Sequence, residues 1–129
     1  MTRTRIWPVA AACAGANAAV HLYLAPVHLT EKPYIGVLFI IGSALLLAAV
    51  GGLVWSRTRV AAWWLGGAVS VGMCAGYIAS RTIGLPSGYH ETWNDPFGTA
   101  CLILEAIYLA AFVAAGHVEA HARWSPQRP

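Results

Sequence analysis

Four long apolar runs, each as long as a lipid bilayer is thick, constrain this chain more than any motif in it. Residues 6–25 form the first, with Asn17 and His21 as polar interruptions. Residues 34–55 carry no charge, residues 60–83 carry Arg81 near their end, and residues 96–115 contain a single charge, Glu105. Each run reaches the roughly 20 residues that a helix needs to cross a hydrocarbon core. The runs are continuous rather than alternating and rich in Ala, Leu and Gly, which favours helices over barrel strands. Only 10% of the 129 residues are charged and 58% are hydrophobic, against about 25% charged in soluble domains. A chain this short cannot hide so much apolar surface from water. The expectation is all-α: an integral membrane four-helix bundle, one transmembrane domain over residues 1–129 with a tail at 117–129.

Charge sets the expected orientation. Four spans put both ends on one side, with Arg3, Arg5, Arg57, Arg59, Arg123 and Arg128; the other side holds Lys32 and Arg81. Basic residues mark the cytoplasmic side. Both termini and the 56–59 turn are therefore expected inside, in a bacterial cytoplasmic membrane crossed several times. The net charge of +3 is a topology signal, and no nucleic-acid partner is expected. The basic start and Ala-rich stretch of the first run resemble a signal peptide, but the run continues past the cleavage-like sites, so it is read as a span. His117 and His121, four apart in the tail, read as a solvated helix end.

The one long polar stretch, Ser80–Pro96, is mostly punctuation. Gly84 and Pro86 stop a helix; Asp95 caps the next, with Pro96 at its first position. Tyr89 and Trp93 suit the headgroup layer. Thr30 and Pro33 mark another helix start, with Thr30 as the expected cap.

Polar residues within the spans fall on helical faces. Cys13, Asn17, His21, Leu24 and His28 recur every three or four residues, as do Ser70, Cys74, Tyr77 and Arg81, and Cys101, Glu105 and Tyr108. Polar faces avoid lipid, so these three are expected to converge. Counting about 1.5 Å per residue places Glu105 and Asn17 at one depth near mid-membrane, and His21 and Cys101 about one turn further out. The expected polar cluster is Asn17, His21, Tyr77, Arg81 and Glu105. A carboxylate at mid-bilayer costs several kcal/mol unless paired or protonated. Glu105 is thus either a structural bond to Asn17, His21 or Tyr77, or a functional group. On the third span Ala68, Gly72, Gly76 and Ser80 form a small-residue stripe that allows close helix contact. Gly72 and Gly76 are the candidate surface for a homo-oligomer or a larger membrane complex.

Three functions compete. A non-catalytic accessory subunit or binding module fits the size, the short loops and the want of a catalytic motif. A metal-handling protein would use His21, His28, Glu31, His90, Glu91 and Glu105, with Asp95 nearby; such imidazole and carboxylate sets suit transition metals, although no tight ligand spacing is present. A bis-histidine haem is not expected, since only His21 lies well inside a span. A proton-coupled transporter or channel would use Glu105. Cys13, Cys74 and Cys101, one per span, read as small apolar residues rather than a redox pair.

The turn Ser80-Arg81-Thr82, Gly84-Leu85-Pro86, then Trp93, Pro96, Gly98 and Glu105, resembles a group of small four-span integral membrane proteins of actinobacteria. The resemblance covers residues 21–115. It implies a membrane location and brings no activity with it.

Overall fold

A computed structural model describes residues 6–124, and their side chains as far as residue 117. Among these residues the chain forms four long helices: α1 (Trp7–Glu31), α2 (Pro33–Val54), α3 (Arg59–Arg81) and α4 (Pro96–Trp124). All four are long and apolar enough to cross a membrane. The longest connection holds a short 3-10 turn at Pro86–Gly88 and a single antiparallel bridge between Leu85 and Tyr89. No other strand pairing occurs among the described residues.

The ends of the helices follow local chemistry. α1 runs beyond the expected Ala25 because Pro26 removes one backbone donor without ending the helix. The chain turns only at Lys32, which is extended (φ −144, ψ 90) ahead of Pro33 at the first position of α2. Thr30 is not the cap expected of it. It lies inside α1, where its hydroxyl donates to Val27 O at 2.7 Å. α3 stops at Arg81, and Gly84, at φ +81, turns its N–H back to Ala79 O at 2.8 Å. Asp95 caps α4: its Oδ1 accepts from the Gly98 N–H at 3.0 Å. α4 continues past the expected residue 115 to Trp124, so the first part of the tail is helical. Arg3, Arg5, Arg128 and the His121 and Arg123 side chains lie outside the described residues.

The helices stand in a ring in chain order, each packed on its two neighbours: α1 on α2 and α4, α3 on α2 and α4. The 55–58 turn lies at one end of the bundle, here the terminal end. Lys32 and the 82–95 segment lie at the other, the loop end. The apolar core occupies the terminal half, where Ile6, Ala10, Ala14, Ala18, Leu46, Leu53, Ala62 and Ala111 form one buried cluster with Tyr108. The outer surface is also apolar. On α2 alone, Val37, Leu38, Ile40, Ile41, Leu45 and Leu47 are each 40% exposed or more. A face like this is unfavourable in water and is what lipid tails contact. The chain is a small multi-pass membrane protein.

A side-open cavity in the loop half

At mid-bundle the polar faces of α1, α3 and α4 meet. Asn17 Nδ2 donates to Glu105 Oε1 at 3.2 Å, and the Cys74 thiol donates to Glu105 Oε2 at 3.1 Å. Glu105 is 2% exposed, and no basic side chain among the described residues forms an ion pair with it. One turn nearer the loop end, His21 Nδ1 donates to Asn17 O at 3.1 Å, with Cys101 Sγ 3.7 Å away. Ser43 ties α2 to the same level, donating to Ala18 O at 3.2 Å.

Arg81 and Tyr77 do not join this group. Arg81 turns inward, its side chain 4% exposed, and donates to Asp95 Oδ2 at 2.7 Å. Its guanidinium lies over the Tyr77 ring, 3.6 Å from the centroid, and also donates to Ser80 Oγ at 2.9 Å. A Cβ at Gly98 would crowd the ends of the Asp95, Arg81 and Tyr77 side chains, which would have to shift to admit it. The five residues expected to cluster therefore form two groups, a lower one of Asn17, His21 and Glu105 and an upper one of Tyr77 and Arg81.

Between the two lies a cavity of about 370 Å³, at the lower end of the roughly 300–1,000 Å³ range of small-molecule sites. Its floor is Glu105. Its walls are apolar, from Leu24, Phe39, Leu45 and Met73 among others. Phe39 stands between two imidazoles, with ring centroids 4.7 Å from His21 and 4.6 Å from His28. The roof is the 82–95 segment, stitched down on both sides. Lys32 Nζ donates to Ser87 O at 2.9 Å, the Tyr34 hydroxyl donates to Pro86 O, and the Glu91 N–H donates to Ser80 O at 2.9 Å. Under it the Tyr89 hydroxyl donates to Glu91, which also faces His28 Nε2 at 3.7 Å. Burial first, and then the Glu91 acceptor, hold the Tyr89 phenol above the usual tyrosine range.

The cavity opens sideways. Leu38, Ile41 and Gly72 line it and are exposed on the outer surface between α2 and α3. A side chain built at Gly72 or Gly76 would meet nothing within 4 Å. Within the chain the small-residue stripe is thus a mouth rather than a tight helix contact.

The expected metal set is not assembled. Among the described residues no three His, Cys, Asp or Glu side chains come together to hold a metal ion. Glu31 and His90 are exposed, His28 and Glu91 sit at the roof, and His21 and Glu105 are separately bonded on the floor. Helical spacing places residues on a common face, but metal ligation also needs their donor atoms to meet at one point. Three features escaped the sequence reading. Cys74 had a place on a polar face but no bond to Glu105, Phe39 had no role, and Asp95 was read as a cap and a nearby metal donor but not as the partner of Arg81. The last was findable: Arg81 and Asp95 carry opposite charges at the two ends of one connection. No family model, curated protein or solved structure matches the chain.

Proposed function

We propose that this chain is a non-catalytic binding module of the bacterial cytoplasmic membrane, holding one lipophilic molecule in its side-open cavity, alone or as the accessory subunit of a larger complex. The observation that carries this reading is the cavity itself. Soluble ligands need an aqueous entrance, but the roof here is tied to Lys32, to Tyr34 of α2 and to Ser80 of α3, while the cavity lining between α2 and α3 reaches the outer surface. A molecule already dissolved in the bilayer can enter from the side. Arg57 and Arg59 lie at the terminal end and only Lys32 and Arg81 at the other, so the positive-inside rule puts the mouth in the outer leaflet.

The test is mass spectrometry of protein purified in mild detergent, beside a Gly72→Leu variant. A single lipophilic species in stoichiometric amount, lost in the variant, supports binding in the cavity. A random sample of bulk lipid in both proteins overturns it. Orientation is checked separately with impermeant thiol reagents on Ser87→Cys and Ser56→Cys; labelling of Ser87→Cys alone from outside intact cells is expected.

A further inference from the structure

The charges facing the cavity point to the class of ligand. Arg81, Glu91, Asp95 and Glu105 all line it, one cation against three carboxylates. Arg81 and Asp95 offset each other at 2.7 Å. Two carboxyl groups remain, Glu91 at the roof and Glu105 at the floor. Glu91 has the Tyr89 hydroxyl and the edge of His28. Glu105 has only the Asn17 amide and the Cys74 thiol, both neutral. Of the titratable groups on elements packed around it, α1 brings His21, which is turned to Asn17 O, and α4 brings Cys101, while the α2 wall offers Phe39, Gly42 and Leu45. At this depth a carboxylate is tolerated only with a positive companion or a proton. The structure supplies no basic residue there, and it places empty volume beside the group.

We propose that the cavity takes lipophilic cations, hydrophobic molecules bearing one amine, quaternary ammonium or phosphonium centre, with Glu105 as the counter-ion. This deepens the binding reading above and rests on it. The apolar walls take the hydrophobic bulk. The Phe39 ring adds a face to which a cation is attracted. The weak dielectric of the site makes a single carboxylate discriminate charge strongly, because the same pair of charges interacts far less in water. An anion of equal size finds no free cation in the cavity, because Arg81 is taken by Asp95.

The experiment compares tetraphenylphosphonium with tetraphenylborate, which share shape and differ in sign. Equilibrium dialysis uses the full chain in detergent at one fixed pH, with protein-free micelles subtracted. Saturable binding of one phosphonium per chain is expected, with the borate at least about tenfold weaker. Glu105→Gln keeps the shape of the side chain and loses its charge. It is expected to weaken phosphonium binding about tenfold while leaving borate binding unchanged. If that variant fails to fold, the comparison of the two ions on the unaltered protein still decides. Equal binding of both ions, no saturable phosphonium binding, or a well-folded Glu105→Gln protein that binds as before would each overturn the proposal. The two readings fail separately. A neutral lipophile that copurifies and is lost in Gly72→Leu, with no phosphonium binding, leaves the binding module standing and removes the cation.

Discussion

The half of the bundle near the 55–58 turn is filled with side chains, and the half near the 82–95 loop is built around a space. The same four helices make both. In the terminal half, small residues let the backbones approach and one large ring fills what is left: Tyr108 packs under Gly66, its hydroxyl donating to Ala62 O at 3.2 Å. In the loop half, Met73 of α3 reaches Gly42 of α2 but nothing lies beside Gly72 and Gly76, and the end is closed by hydrogen bonds and one ion pair. Between helices in lipid there is little hydrophobic drive, so packing and polar bonds must hold them together. One half uses the first and the other uses the second, which lets a binding space exist without dissolving the bundle.

The difference is broken most sharply by one substitution placed in each half. Gly66→Leu drives a side chain into the Tyr108 ring, where overpacking costs about 3 kcal/mol. Gly72→Leu grows into open space and should change stability by less than about 0.5 kcal/mol. Unfolding titrations in detergent measure both, and equal losses would mean that the two halves are packed alike. Next in size is the roof. Arg81→Ala leaves Asp95 without its partner. A fully buried pair broken in this way costs roughly 3–5 kcal/mol, but Asp95 is 28% exposed, and solvent reduces the figure to about 2 kcal/mol. A melting temperature that does not move would show that the ion pair does not close the loop end.

Double-mutant cycles sharpen the comparison further, because they ask whether the polar residues form one network. Asn17 and Glu105 touch, so their alanine cycle should show a coupling of about 0.6 kcal/mol, typical of hydrogen bonds between membrane helices. Arg81 stands seven residues from Cys74, about 10 Å along α3, and shares no partner with Glu105. Their cycle should be additive within about 0.5 kcal/mol. Coupling between Arg81 and Glu105 above that would restore a single polar cluster and rule out the two-level arrangement.

The sequence made the spans legible because length and apolarity are one-dimensional properties, and it made depth legible because rise per residue is constant. Asn17 and Glu105 do meet at one level, and so do His21 and Cys101. What it could not give is how far each helix turns about its axis and how far apart neighbours stand. Arg81 lies on the expected face of α3, yet its long side chain answers to Asp95 in the loop. Gly72 and Gly76 carry a close-packing signature, yet a side chain built at either would meet nothing within 4 Å. Small residues permit approach without compelling it, and a space between two helices leaves no mark in either helix alone.

The last effect also concerns the roof and is read from pH. Tyr89 is buried, and its hydroxyl donates to Glu91. Burial and this acceptor keep the phenol protonated to higher pH in the folded chain than in the unfolded one, where tyrosine ionises near 10. The folded value is the raised one. The contribution is therefore complete below about pH 10 and is lost as pH rises from there toward the folded value. Tyr89→Phe removes both the bond and the titration. Against that variant the unaltered protein should be more stable by about 1 kcal/mol near neutrality, and the gap should close above about pH 10. Melting curves of the two proteins from about pH 8 to 11 isolate Tyr89, because every other tyrosine is common to both. A gap of constant size would mean that the phenol titrates alike folded and unfolded, and that the roof is not held on Glu91. A closing gap would place the weakest of the loop-end closures where the geometry puts it, over the open half of the bundle.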